Sequence, residues 1–223
     1  MEGDAAPELE VDLPISCVLR VGDDPRVMAG DEWLWEVVAG RRTRISALSP
    51  FPAHTALLEA VVETVRGYLR PGADDLLVDA GAGVGVFGLS LLEAAAGLIA
   101  IEEDGWAVSD LLANAGEAAN VGVIQDSLAK GLAAIDQPVD LAIVQPARSG
   151  LGQEGALALA ELGPRRVAYV ASDPATLARD AGGLQEAGYA LVEVQPFDLL
   201  PQTCQVWAAG LWERRAGGRK QRV

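Results

Sequence analysis

Cysteine and histidine are nearly missing from this sequence: Cys17, Cys204 and His54 are all it has among 223 residues. Two cysteines are too few for a disulfide framework or a structural zinc site. One histidine leaves little for a Ser-His-Asp arrangement or a His-rich metal centre. No apolar run approaches the roughly 18 residues that a membrane span needs. The segment Met1 to Glu10 is acidic and lacks the basic-then-apolar order of a secretory signal, so a soluble, cytoplasmic protein is expected. Positive charge is scarce too: 17 basic residues face 32 acidic ones, a net charge of −15. Because counterion-displacing cations drive affinity for polyanions, the chain alone is expected to hold RNA weakly. Some of its cations cluster, Arg41, Arg42 and Arg44 in one group and Arg214, Arg215, Arg219, Lys220 and Arg222 in another. The first reads as a solvated loop and the second as a frayed tail.

Apolar residues are plentiful, half of the total. The first ~50 residues read as short strands and turns, with Cys17 to Val21 running into the turn-like Gly22-Asp23-Asp24-Pro25 and a partly alternating stretch from Glu32 to Val38. Leu57, Leu58, Val61, Val62, Val65 and Leu69 recur at helical spacing from Thr55 to Leu69, before Pro71-Gly72. Short apolar runs then alternate with helical stretches. The runs are Leu76–Ala80, Leu98–Ile101, Val121–Ile124, Leu141–Val144 and Val167–Ala171; the helices are Val86–Ala95, Trp106–Ala118, Ser127–Ala134, Ala156–Leu162 and Ala175–Ala187. Nearly continuous apolar strands between helices predict a parallel sheet covered on both faces. Two last strands, Tyr189–Val194 and Gln205–Leu211, are joined without a helix, which favours an antiparallel pair. Seven strands in this arrangement look like the Rossmann-like α/β sheet of class I methyltransferases. Residues 1–50 are then a β-rich extension and 51–223 the methyltransferase domain.

Asp79-Ala80-Gly81-Ala82-Gly83-Val84-Gly85 follows one apolar run and opens a helix. Glycines there let the backbone turn sharply and approach a ligand that a Cβ would obstruct. The helix start supplies unpaired amides. Asp79 can face an ammonium group or a water. Glu102, 23 residues on and ending the next strand, can take both hydroxyls of a ribose, and Asp126 follows the third strand where an acid meets an adenine amino group. Gly83-Val84-Gly85-Val86-Phe87-Gly88 also matches the dinucleotide pattern G-x-G-x-x-G. The acid directly before the glycines would repel a pyrophosphate and so favours S-adenosylmethionine, with a nucleotide or NAD as the alternatives.

Further along, Tyr169-Val170-Ala171-Ser172-Asp173-Pro174-Ala175-Thr176-Leu177-Ala178-Arg179-Asp180 is similar to Y-V-S-C-N-P-x-T-L-A-R-D, and Asp198-Leu199-Leu200-Pro201-Gln202-Thr203 to D-M-F-P-Q-T. Both patterns belong to the RNA (uracil-5) methyltransferases that modify tRNA and 23S rRNA. That family's D-x-x-C-G-x-G-x-F loop is echoed from Asp79 to Phe87, and its second strand and helix resemble Glu102, Ala107-Val108, Asn114 and Asn120. The resemblance runs from about Ile45 onward. It implies S-adenosylmethionine as cofactor and RNA as substrate, with Asp79, Gly81, Gly83, Gly85, Glu102, Asp126 and Gln145 at the cofactor. On physical grounds Asp173 can cap, and Pro174 open, the helix that follows.

The departures fall on the chemistry. In the family a cysteine adds to C6 of uracil and a glutamate later removes the C5 proton; those positions hold Ser172 and Trp207 here. A serine hydroxyl needs a neighbouring base to attack, and an indole accepts no proton. D-P-P-R becomes Gln145-Pro146-Ala147-Arg148, and F-F-Q-x-N becomes Pro50-Phe51-Pro52-Ala53-His54. Cys204 reads as a half-buried strand residue, His54 as a helix cap, Trp106 and Trp207 as core or pocket wall, and Arg148 and Arg179 as phosphate or ion-pair contacts. Three functions suit this pattern: methyl transfer to an acceptor that is already nucleophilic, a non-catalytic module that binds S-adenosylmethionine or its product as sensor or protein partner, and a pseudoenzyme with no ligand.

Overall fold

The computed structural model describes residues 15–21, 24–52 and 54–215. Two antiparallel hairpins come first: β1 (Cys17–Val21) with β2 (Asp24–Ala29), and β3 (Trp33–Val38) with β4 (Arg41–Ser46). Helix α1 (Thr55–Leu69) follows, then β5 (Leu76–Ala80), α2 (Val86–Leu91), β6 (Gly97–Glu102), α3 (Gly105–Ala115), β7 (Val121–Gln125) and α4 (Leu128–Ala133). The chain continues through β8 (Leu141–Val144), α5 (Gly152–Leu162), β9 (Arg166–Ala171), α6 (Pro174–Glu186), β10 (Tyr189–Phe197) and β11 (Trp207–Arg214).

The last seven strands form one sheet in the order β10-β11-β9-β8-β5-β6-β7, in which β11 runs antiparallel to both neighbours and the other pairs are parallel. The predicted closing pair is therefore antiparallel. Its boundaries shift: β10 extends to Phe197, β11 begins at Trp207, and Cys204 is exposed in the connection rather than half-buried in a strand.

Alternation along the strands sorts the core onto two faces. Leu77, Leu141, Ile143, Ala168 and Val170 pack with Leu58, Val61, Val65, Phe87 and Leu111 of α1, α2 and α3. Val78, Ala142, Val144, Val167 and Tyr169 pack with Leu132, Leu159, Leu177 and Leu184 of α4, α5 and α6. A buried leucine stabilises by roughly 1.5–3 kcal/mol, so a charge at Leu77 or Leu141 would break the layer under α1, α2 and α3 at the sheet's centre.

Helix ends follow local chemistry. His54 caps α1, its Nδ1 accepting from the Leu57 N–H at 3.2 Å, and Asp173 caps α6, accepting from the Ala175 N–H at 3.0 Å with Pro174 in the first turn. Helix α2 is shorter than the sequence suggests. Leu92–Ala94 tighten into a 3-10 turn, and Ala96 N–H donates to the Asp75 carbonyl as the chain bends into β6. Residues 24 and 25 belong to β2 rather than to a turn. Among the described residues no helix is long and apolar enough to cross a membrane.

Candidate functional site

The chain leaves β5 toward β6 and β7 on one side and returns to β8 and β9 on the other, which opens a crevice at the carboxyl ends of β5 and β8. A cavity of about 880 Å³ occupies it. Gly81 follows β5 with φ +84°, and a Cβ there would sit 2.1 Å from the Gln145 carbonyl oxygen, so only glycine lets the two strand ends close together. Gly83, φ +54°, has nothing within 4 Å of where its Cβ would be. Gly81 and Ala82 both donate their N–H to the Ile101 carbonyl at 2.9 Å, and Gly83 donates to Glu102 Oε2 at 2.8 Å. Glu102 Oε1 accepts from the Glu103 and Asp104 N–H groups, each at 2.9 Å. A carboxylate has about four acceptor positions; three are taken by backbone, so gripping a diol through both hydroxyls must displace one amide. Asp126, exposed beyond β7, accepts from the Ser127 N–H at 2.7 Å and also lines the cavity.

Two of the predicted residues stand behind this surface. Asp79 is fully buried and does not line the cavity. Its Oδ2 accepts from the Gly88 N–H at 2.8 Å, while Oδ1 has no partner among the described residues. Burial, with the negative charge of Glu102 added, pushes its carboxyl up to about 7. Gly85, φ +92°, serves packing at the start of α2: a Cβ would lie 2.6 Å from side-chain carbons of Leu111 and Leu89.

The rest of the lining is uncharged and largely apolar. Pro50, Phe51 and Pro52 enter from the segment before α1, Gln145 from the end of β8, Ser172 from the end of β9, Leu199, Leu200 and Gln205 from the last connection, and Trp207 from the start of β11. Ser172 and Trp207 thus face one cavity with Gly81, Gly83, Glu102, Asp126 and Gln145. None of the described residues bonds the Ser172 hydroxyl. Trp207 is 8 % exposed and packs into the core with Phe197 and Leu199. No arginine, lysine or histidine is among the described lining residues. Cys204 and His54 lie outside the cavity, and Trp106 sits beside Glu32 and Ser46 of the N-terminal region instead.

Apart from Ser172, the block from Tyr169 to Asp180 stays out of the cavity lining. Asp180 accepts from the Tyr169 hydroxyl and from the Leu151 N–H at 2.6 Å, and Arg179 donates to the Arg148 carbonyl at 2.8 Å. These bonds hold the loop after β8 against α6 and so fix the segment that begins at Gln145.

A second set of residues is joined in a way that the sequence does not signal. Asp110 on α3 is fully buried and accepts from Arg44 Nε at 2.6 Å, the Ser46 N–H at 2.7 Å, Ser46 Oγ at 2.8 Å and Ser49 Oγ at 2.6 Å. Asn114, one turn on, accepts from the Arg44 N–H at 2.6 Å and donates to the carbonyls of Arg44 at 3.0 Å and Val84 at 2.9 Å. Arg41, Arg42 and Arg44 are therefore strand residues rather than a solvated loop. At the other terminus, Arg214 closes β11 with Nη2 directed to the Ala160 carbonyl; Arg219, Lys220 and Arg222 lie outside the described residues.

This strand order, with β11 reversed, a glycine turn after β5 and a cavity over the strand ends, is the class I S-adenosylmethionine-dependent methyltransferase fold. Within that class the similarity is to RNA methyltransferases. The chain is 37 % identical over 188 residues to an uncharacterized RNA methyltransferase of Thermosynechococcus vestitus, covering 83 % of this chain and 42 % of that one. It is 34 % identical over 224 residues to one of Streptomyces coelicolor, covering 97 % and 48 %. It thus spans less than half the length of these relatives. The crystal structure of Pyrococcus abyssi tRNA (uracil-54, C5)-methyltransferase in complex with S-adenosyl-L-homocysteine superposes with a TM-score of 0.69 at 23 % identity, over 82 % of this chain and 45 % of that one. The M. jannaschii tRNA m1G37 methyltransferase gives 0.65 at 16 %, over 86 % and 58 %. No model of a protein family matches the sequence.

Proposed function

We propose that this chain is the S-adenosylmethionine-binding, methyl-transferring domain of an RNA methyltransferase, and that it does not reach uracil C5 through a covalent enzyme adduct. One observation carries the reading: one cavity is lined both by the glycine turn with Glu102 and Asp126 and by uncharged residues that include Ser172 and Trp207.

The acidic wall fits the cofactor. Glu102 and Asp126 line the cavity and suit a nucleoside bearing a sulfonium and an ammonium group, with the fully buried Asp79 behind them. A pyrophosphate would meet those same acids with no lining cation to offset them, which disfavours NAD. Glu102 and Asp126 would hold the ribose and the adenine; when bound, S-adenosylmethionine supplies an electrophilic methyl group. Gln145 and Ser172 can orient an acceptor through neutral hydrogen bonds, and an acceptor that is already nucleophilic needs little beyond orientation. The covalent route needs an ionised nucleophile and a base. The Ser172 hydroxyl is hydrogen-bonded to no base among the described residues, the neighbouring Asp173 caps α6, and buried Trp207 stands at the base's position.

The same uncharged wall favours a second reading, a module that binds the cofactor or its product without catalysis. Calorimetry with S-adenosylmethionine and S-adenosylhomocysteine tests the shared step: binding is expected in the micromolar range or weaker, on the order of tenfold lower in Glu102→Ala. Unchanged binding in the variant removes Glu102 from the site. Incubation with methyl-labelled donor and total RNA separates the two readings. Label on C5 of uridine sinks the argument from Ser172 and Trp207.

A further inference from the structure

We propose that the outer face of the β3–β4 hairpin is a docking surface for unpaired RNA, on which bases stack against Trp35 and Arg42. Alternation along β3 puts Trp33, Trp35 and Val37 on one face, and they are 37, 45 and 57 % exposed. Pairing with β4 sets Arg44 opposite Trp35 and Arg42 opposite Val37. The guanidinium groups then reach diagonally, Arg42 to 4.2 Å from the centre of the Trp35 ring and Arg44 to 5.2 Å from that of Trp33. Arg44 is committed to Asp110 and anchors the hairpin. Arg42 is exposed, and among the described residues its side chain is engaged by the Trp35 indole and by no hydrogen bond or ion pair.

Charge selects the occupant. The chain carries −15 overall, yet this hairpin, with Arg44 paired to Asp110, still sets Arg41 and Arg42 against one glutamate, Glu36. Paired planar cations and indoles form platforms that stack bases without reading sequence, whereas duplex RNA hides its base faces. Location agrees. The strand leaves β4 through Ser46 and Ser49 into Pro50, Phe51 and Pro52 at the cavity, whose described lining has no cation to hold a polyanion. The proposal rests on the RNA reading above and adds where the RNA is held.

The test uses the full 223-residue chain and a fluorescein-labelled single-stranded RNA of about 12 nucleotides, a length within the span that such stacking grooves cover. Fluorescence anisotropy is read for wild type, Trp35→Ala, Arg42→Ala and Arg42→Lys. Trp35→Ala and Arg42→Ala are each expected to weaken binding about tenfold or more, and Arg42→Lys to recover only part of the loss because it keeps charge without the plane. The duplex form of the same sequence is expected to bind at least about tenfold more weakly. S-adenosylhomocysteine affinity and melting temperature, read in parallel, should match wild type in all three variants. Wild-type RNA binding that the variants retain overturns the hairpin assignment and leaves the RNA reading standing. A wild type that binds S-adenosylhomocysteine but no RNA overturns both. A concentration-dependent dimer that Trp35→Ala abolishes, with RNA affinity unaffected, assigns the face to a second copy of the chain and overturns the proposal.

Discussion

Asp110 on α3 and Asp79 near the end of β5 are both fully buried, yet Asp110 receives four hydrogen bonds, one of them from an arginine, while Asp79 receives one backbone amide. Around Asp110 the donors convert a buried charge into a dock that holds β4 and the segment after it against α3. Around Asp79 the donors are missing, burial raises the carboxyl to about 7, and one oxygen stays unmatched behind the cavity wall. A buried carboxylate with its donors supplied stays charged and serves as architecture; one left short of them holds its proton to higher pH.

The comparison breaks most visibly at Asp110. Asp110→Ala leaves Arg44 half-buried without its partner and is expected to cost about 3–5 kcal/mol in urea denaturation. A loss near zero would mean the dock is ornamental. Next comes the pH response of Asp79. The unfolded chain releases this proton near 3.8 and the folded chain near 7, so the fold binds the extra proton in between. Its contribution to stability is greatest below pH 4 and declines as pH rises to about 7, by at most about 4 kcal/mol. Urea midpoints at pH 5, 6, 7 and 8 should show that decline in wild type and a flatter line in Asp79→Asn, which should be the more stable protein at pH 8. Equal slopes would refute the assignment. Asp180 extends the comparison to a third buried carboxylate, satisfied like Asp110. Tyr169→Phe, which removes one of its donors, should cost about 1–2 kcal/mol; a neutral change would show that the amides of Leu151 and Gly152 suffice. Smallest is Glu102→Ala, with a stability change of about 1 kcal/mol or less, because water can serve the three freed amides. Its ligand affinity nonetheless should fall as stated above. A large stability loss there would class Glu102 with Asp110.

The strands were readable wherever burial on both faces leaves a continuous apolar run, and Leu76–Ala80 and Leu141–Val144 match residue for residue. Capping was readable because its partners lie within three residues, as at His54 and Asp173. Strand β4 was not. Arg-Arg-Thr-Arg-Ile-Ser has the composition of a solvated loop, and its strand character depends on indoles across the hairpin and on an aspartate more than 60 residues away. At the site, glycines and acids were visible as residue types, but what each does depends on what lies opposite. Gly81 meets the backbone of Gln145, Gly83 meets open space, and Gly85 meets two leucines. Nor does spacing reveal that Glu102 already serves three amides or that Asp79 sits one layer behind the surface.

One carboxamide ties the hairpin to the ligand loop. Asn114 grips both the N–H and the carbonyl of Arg44 and, with the same nitrogen, the carbonyl of Val84 at the cavity. Any load that displaces β4 must therefore strain or release the turn that faces the cofactor side. Thermodynamic reciprocity then obliges the turn to answer in kind: whatever occupancy of the hairpin does to affinity in the cavity, occupancy of the cavity does to the hairpin by the same factor.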